Sequence, residues 1–487
     1  MSNNTKREIL HYSIFFIVAA ICVTLTSCVS ILYYNHKMPV CTDLFTYLDI
    51  GNAINHGKVL YTDIVDTKGP LFLYYFAILL KCKINPFLFT YISEIIVAFF
   101  YSVLQYKIAK LHINNNKICI ASSIIACIFY HVLMLTFLGG TFEEFAILII
   151  TYIFYRVEQS ISIKKPLSNS NLIIMGILCS IIYLSKFSIL IFVIPIGIYH
   201  LYYNRTNIAK TIIVFMIGFI MIVIPVFGYL MYKGNLAEYF HYQFSANLTR
   251  VTTYPKFDLY NLFYGYIIPI SIMGITFKRS FRYSILTLSP IIITFLLLHI
   301  PIGELPYQYY LAPVYYACSI FVSNFLMALF DKNKTITTSA LEVGISILTL
   351  MLVILGLLII VIKKNSDCNY VDTIISATDE LNSADIYCDP TDNLGINYYY
   401  DNVPEYKHYN NGLTTQEQID EAITVIQNKQ YEYIVSEEKS KFYTVINKYY
   451  TVYNKIPNTT YIIYKRKNWK EILTWQCITN VVYLSYN

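Results

Sequence analysis

Charge is scarce in this chain: acidic and basic residues together occupy 14% of 487 positions, well below the share in soluble domains, while 56% are hydrophobic. That scarcity excludes an ordinary soluble domain built on one core, and a mean hydropathy of +0.50 points the same way. Also lacking is any C-x-x-C pair among the 11 cysteines. Cys22, Cys28, Cys119, Cys127, Cys179 and Cys318 lie within apolar runs and Cys82 lies beside one, so neither a disulfide framework nor a metal ribbon is implied. Lys and Arg give a net charge of +6 but are not gathered into a stripe. Nucleic acid is therefore not an expected partner, and the positive residues report topology instead. No internal repeat and no low-complexity linker is present.

What the chain does have is a succession of apolar runs, at 12–34, 86–106, 117–138, 142–157, 171–185, 187–203, 209–232, 259–277, 284–300, 309–330 and 341–362. They predict a polytopic membrane protein with about 11 transmembrane helices. Lys6 and Arg7 ahead of Leu25-Thr26-Ser27-Cys28 resemble a lipoprotein signal, but the run continues through Ile31 to Tyr34, and its length favours an uncleaved first helix. Basic clusters alternate between the runs: Lys107, Lys110 and Lys117; Arg156, Lys164 and Lys165; Arg205 and Lys210; Lys278, Arg279 and Arg282; Lys332 and Lys334. All fall on the side of Lys6 and Arg7, which the positive-inside rule makes the cytoplasm. Pro70 to Leu80 is apolar too, but a helix of that length reaches only about 16 Å against a hydrocarbon core of about 30 Å. It predicts an interfacial or re-entrant helix on the outer face, led in by proline.

After about residue 363 the apolar runs stop and charges return. Strand-like pieces at Ala384 to Cys388, Tyr431 to Val435 and Tyr461 to Tyr464 alternate with helical patterns, one of them over Gln416 to Asn428. The expected fold is an all-α polytopic membrane domain over 1–362, with outer-face juxtamembrane helices, followed by a small C-terminal extracytoplasmic α/β domain over 363–487.

The stretch CTDLFTYLDIGNAINHGKVLYTDIVDTKGPLFLYY, residues 41–75, places four aspartates and two lysines directly after the first membrane-length run. On the outer side, Asp43 can accept a proton from a hydroxyl or bind a cation; equally, it or Thr42 can cap a helix over Leu44 to Asn55. Lys68 suits a lipid phosphate, with a snorkelling anchor as the plain alternative. Glu143 and Glu144 follow Gly139-Gly140 at the mouth of a span, where an acid is either functional or a complement to the helix dipole. Lys186 stands alone between two apolar runs and either binds an anion or marks a turn. His131 and His241 read as structural residues.

Set in order, these pieces resemble a known family. Asp43-x-x-x-Tyr47, Gly57 to Ile64 (GKVLYTDI) and Asp66 to Leu71 (DTKGPL) resemble the first outer loop of GT-C superfamily glycosyltransferases, in the bacterial branch related to protein O-mannosyltransferases and the lipid A aminoarabinose transferase. Gly139 to Phe145 (GGTFEEF) is similar to that family's second acidic loop, Lys186 falls at an inter-helix lysine, and Leu236 to Asn247 (LAEYFHYQFSAN) is similar to an outer loop. Pro306 to Pro313 (PYQYYLAP) resembles a late loop-to-helix motif. The resemblance implies an enzyme that moves a sugar from a polyprenyl-phosphate donor to an extracytoplasmic acceptor hydroxyl on a glycan, lipid or protein. In that scheme Asp43 is the base of an inverting transfer, and Glu143 orients the acceptor or assists the base. Lys68, with Lys186 or Arg250, holds the departing phosphate, while Tyr47, Asp66, Glu144, Asn247, Tyr309 and Tyr310 bind substrate. Two departures stand out: Leu44 follows Asp43 where many members have a second acid, and Thr67 stands where histidine is common. They leave the donor's identity and any divalent-cation requirement open. Three other readings remain: an oligosaccharide polymerase, which depends on outer-loop arginines of which Arg250 alone is present; a lipid-linked sugar transporter or flippase, whose charges belong near the midplane; and a non-catalytic membrane sensor with an outer domain.

Overall fold

The computed structural model describes residues 3–33, 36, 42–134, 139–245, 281–293, 315–329, 371–379, 381, 386–388, 396–401, 403, 416–428, 430–440 and 442–467. Helices dominate the first half: α1 (Asn3–Thr26), α2 (Thr42–Asn55), α3 (Pro70–Lys81), α4 (Pro86–His112), α5 (Asn116–Met134), α6 (Phe142–Ser162), α7 (Asn169–Lys186), α8 (Ile194–Tyr203), α9 (Ile208–Tyr232) and α10 (Leu236–Phe240). Among the described residues, four segments are long and apolar enough to cross a membrane: Thr5–Tyr33, Pro86–His112, Asn169–Phe192 and Ile208–Tyr232. The chain is a multi-pass membrane protein. The expected runs at 259–277 and 341–362 lie outside the described residues, and those at 284–300 and 309–330 are described only through the helices Phe281–Ile293 and Cys318–Leu329.

Local chemistry explains the boundaries. Thr24 and Thr26 back-bond to the carbonyls of Ala20 and Cys22, and the Ser27 hydroxyl accepts from the Val29 N–H at 3.2 Å. Such side chains compete with the helical ladder. The first helix accordingly ends at Thr26, short of the expected 34, with only a 3-10 turn at Ile31–Tyr33 beyond it. Asn85 caps α4 by accepting from the N–H groups of Phe87 and Leu88, both at 3.0 Å, and Pro86 occupies the first turn. Its 27 residues run past the expected end at 106. α3 has 12 residues, about 18 Å, so it is too short to span, as expected. The span expected at 187–203 is corrected: α7 continues into a 3-10 helix over Phe187–Phe192, and a separate ten-residue helix, α8, follows. Pro195 in the first turn of α8 has no N–H to donate to a preceding carbonyl, which suits the start of a new helix there.

α9 shows how the bundle meets lipid. Ile213, Ile217, Met221 and Ile224 are exposed on one face, while Phe215, Phe219, Val226 and Phe227 are half-buried against the core on the other. Its contact with α7 runs through glycines. A Cβ on Gly176 would come within 2.1 Å of the Phe215 carbonyl oxygen, and one on Gly218 within 2.1 Å of that of Ile173. Small residues permit this backbone approach, the means by which helices associate where lipid removes the hydrophobic drive.

The helix directions sort the charges. Lys107 and Lys110 near the end of α4, Lys117 at the start of α5, Lys164 and Lys165 after α6, and Arg205 and Lys210 between α8 and α9 gather at one end. The start of α6, the end of α7 and the α2–α3 segment lie at the other. There, too, the later part of the chain docks. It contains a four-stranded sheet of order β1-β2-β4-β3, with β1 (Ile386–Cys388) parallel to β2 (Tyr433–Glu437) and β4 (Tyr461–Arg466) antiparallel to both β2 and β3 (Tyr450–Lys455). Helices Gln416–Gln427 and Tyr443–Tyr449 accompany it. Val371 and Ile375 bury against Phe45 of α2, Asn52 donates to Asp401 at 2.8 Å, and His36 pairs with Asp372 at 2.7 Å.

Candidate active site

The loop between α2 and α3 is held first of all by its own short-range hydrogen bonds. Asp63 accepts from the Val59 N–H at 2.8 Å and Asp66 from the Lys68 N–H at 2.6 Å, while the Tyr61 hydroxyl donates to the Lys68 carbonyl at 2.7 Å. Two later residues then pin it: Asn235 donates to the Leu60 carbonyl at 2.6 Å and Gln243 to that of Thr67 at 2.9 Å. Gly69 fixes it to α7. Its N–H donates to the Ser185 carbonyl at 2.7 Å, and a Cβ there would lie 2.0 Å from the Leu184 carbonyl oxygen. Lys68 is thereby held beside Lys186.

The Gly139–Thr141 loop is organised from α6. Glu144, in the first turn, accepts from the N–H groups of Gly139 (2.9 Å) and Thr141 (3.3 Å) and from the Thr141 hydroxyl (3.2 Å). This is a capping box. Glu94 of α4 accepts from the Gly140 N–H at 3.2 Å. At Gly140, whose φ is +90°, any side chain would be strained and would strike Leu44, the residue next to Asp43. Glu143, beside the cap, forms an ion pair with Lys186; the two side chains are 2% and 12% exposed. Asp43 lies in the first turn of α2 and is partly exposed.

These charges feel one another. Burial raises the Asp66 carboxyl above its ordinary 3.8; the Lys68 ammonium and N–H oppose this, Asp43 adds to it, and Lys186 opposes it. Asp43, Asp66, Lys68, Lys186 and Glu143 therefore form one electrostatic cluster at one end of the bundle, three carboxylates against two ammoniums. The Lys68 ammonium also stands 5.8 Å from the centre of the Tyr47 ring.

Three of the expected substrate contacts are buried. Tyr47 is 2% exposed, with Phe72 and Phe76 at 4.9 and 5.5 Å between ring centres, and its ring lies under Lys68. Glu144 is 1% exposed and caps α6, and Asp66 is 3% exposed and shapes the loop. Arg250, Asn247, Tyr309 and Tyr310 lie outside the described residues. Glu94, Asn235 and Gln243 were not anticipated. Glu94 carried a signal, an acid within an otherwise apolar run, and Gln243 lay in the flagged stretch Leu236 to Asn247.

No family model and no curated protein matches the chain. Among solved structures, ArnT from Cupriavidus metallidurans bound to undecaprenyl phosphate aligns with a TM-score of 0.53 over 94% of this chain and 98% of its own, at 10% identity. The apo form of the same protein aligns with a TM-score of 0.53 over 95% and 98%, also at 10% identity. The chain thus shares the fold of ArnT, and the resemblance read from the motifs holds at the level of fold.

Proposed function

We propose that this protein is a membrane glycosyltransferase that moves a sugar from a polyprenyl-phosphate donor to an acceptor hydroxyl outside the cytoplasm, with inversion. The observation that carries the reading is the cluster of Asp43, Asp66, Lys68, Lys186 and Glu143 at one end of a GT-C fold. Undecaprenyl phosphate bound to the structural neighbour supports a carrier of that kind here. The basic residues at the opposite end favour an extracytoplasmic site in the cell membrane. Charges gathered at one end, and not at midplane in broken helices, favour a transferase over a transporter.

Asp43, the partly exposed carboxylate of the cluster, takes the acceptor proton as the hydroxyl oxygen attacks the anomeric carbon opposite the phosphate. Lys68 and Lys186 stabilise the phosphate that departs, with Arg250 as an expected further contact. Glu143 is a positioning residue that aims Lys186, and Asn247, Tyr309 and Tyr310 remain expected substrate contacts. The test is transfer from a panel of polyprenyl-phosphate sugars by the purified protein in lipid vesicles. Asp43→Asn, with wild-type thermal stability, is expected to lose about 10²- to 10⁴-fold in rate. Near-normal transfer by that variant removes the base assignment, and movement of labelled lipid across the vesicle without any transfer overturns the enzyme reading.

A further inference from the structure

Behind the Gly139–Thr141 loop, Cys22 of α1 meets Cys127 and His131 of α5. One ligand atom from each lies within 4.8 Å of the others. The i, i+4 spacing puts Cys127 and His131 on one face of α5, with Sγ and Nδ1 at 3.7 Å. The thiol of Cys22 lies within 4.8 Å of that of Cys127, and Ser102 of α4 donates its hydroxyl to the Ala98 carbonyl at 2.9 Å. Cys127 is fully buried and His131 is 2% exposed. Buried cysteines alone pack as small apolar groups. An imidazole at membrane depth is different, because it must be desolvated, and here its neighbours are two thiols.

We propose that Cys22, Cys127 and His131 form a binding site for a thiophilic d10 metal ion, Zn(II) or Cu(I), that clips α1 to α5. With bond lengths of about 2.3 Å to sulfur and about 2.0 Å to nitrogen, ligand atoms around such an ion stand roughly 3.5–3.8 Å apart, so the observed spread closes with small rotamer shifts. Two thiolates and an imidazole are the soft donor set that selects these ions over calcium or magnesium. Charge favours the site as well. Zn(II) with two thiolates is neutral overall, so the loaded site places no net charge in hydrocarbon, and binding releases the two thiol protons. The His131 Nδ1–H donates to the Cys127 carbonyl at 2.8 Å. The nitrogen beside the Cys127 thiol is this same Nδ1, so ligation by it exchanges the carbonyl bond for the bond to the ion.

The test uses the full chain purified in detergent under reducing conditions, titrated with Zn(II) or with Cu(I) against a competing chelator and read by elemental analysis. About one ion per chain is expected, and whichever ion outcompetes the chelator identifies the occupant. Cys127→Ser and His131→Gln are expected to weaken binding by more than the roughly 10- to 100-fold that loss of a mere supporting partner costs. Cys179→Ser, a buried cysteine of α7 outside the cluster, serves as the control and binds as the wild type does. Because the decisive measurement is on the wild-type chain, misfolding of a variant does not blunt it. Absence of binding by either ion, equal binding by all four proteins, or a Cys22–Cys127 disulfide in the native protein overturns the proposal.

Discussion

Glu143 and Lys186 form a pair whose two members differ in burial, 2% against 12% exposed, and that difference makes an asymmetric prediction. Lys186→Met leaves the more deeply buried carboxylate without its cation. Glu143→Gln leaves an ammonium that keeps some water and still feels Asp66. Breaking a buried pair from one side costs about 3–5 kcal/mol, whereas replacing both partners by neutral groups of similar volume is close to neutral. Lys186→Met is expected at the top of that range, Glu143→Gln at the bottom, and the double variant near wild type. Unfolding entropy of about 2.1 cal/mol/K per residue amounts to about 1 kcal/mol/K for the whole chain, so the single losses correspond to about 3–5 °C in melting temperature. Thermal unfolding in detergent reads this directly, and sugar transfer is lost in all three variants. If the double variant falls by the sum of the singles, or if neither single moves the midpoint, the pair does not hold the site together.

Three further outcomes follow from the packing. Gly69→Ala drives a methyl group into the Leu184 carbonyl, so about 1–3 kcal/mol of stability and most of the transfer activity are expected to go as Lys68 moves away from Lys186; unchanged transfer by a stable variant refutes the positioning role. Burial raises the folded-state pKa of Asp66 above its ordinary 3.8, so the folded state holds the proton more tightly and stability falls as pH rises from 3.8 through the folded value. Asp66→Asn is expected to remove that decline, and melting curves across the acidic range that keep the wild-type slope count against it. Gly176→Leu at the α7–α9 crossing is expected to lower the melting temperature with no change in transfer rate per folded molecule at permissive temperature, since the contact lies with Phe215 and Gly218 and not with the charge cluster.

Helix existence was readable because lipid allows little else: runs such as 86–106 and 209–232 have to be helical, and α4 and α9 are. Helix ends were less so. The run 12–34 is apolar to its last residue, yet Thr24, Thr26 and Ser27 end α1 early through their own hydroxyls, a local competition that hydropathy does not register. Pro195 did carry a warning about the run 187–203, which composition alone masks. Of the cluster, Asp43, Lys68, Glu143 and Lys186 were all visible as isolated charges between apolar runs. That Glu143 meets Lys186 was not, because the two are 43 residues apart and only the packing of α6 beside α7 brings them together. The burial of Tyr47 was hidden for a similar reason. Its burial depends on α3 turning back over α2, at a crossing so tight that a Cβ on Gly51 would lie 2.9 Å from the Ala77 nitrogen.

The cluster's charge balance carries one more consequence for the proposed reaction. Three carboxylates oppose two ammoniums, and each lysine already has an acid close by before any donor arrives. A phosphate entering beside Lys68 and Lys186 adds negative charge next to the carboxylates that, among the described residues, already face those lysines. Asp66 is the group best placed to relieve this, because burial has already pushed its carboxyl toward the protonated form, and its Lys68 N–H contact does not require the charge. Protonation of Asp66 and binding of the phosphate therefore assist each other, and the linkage is reciprocal. Donor affinity is expected to rise as pH falls toward the folded-state pKa of Asp66, and Asp66→Asn to bind the donor with a flat profile. A wild-type affinity that falls on acidification through that range, or an Asp66→Asn variant that keeps the wild-type profile, would mean that relief at Asp66 does not govern binding.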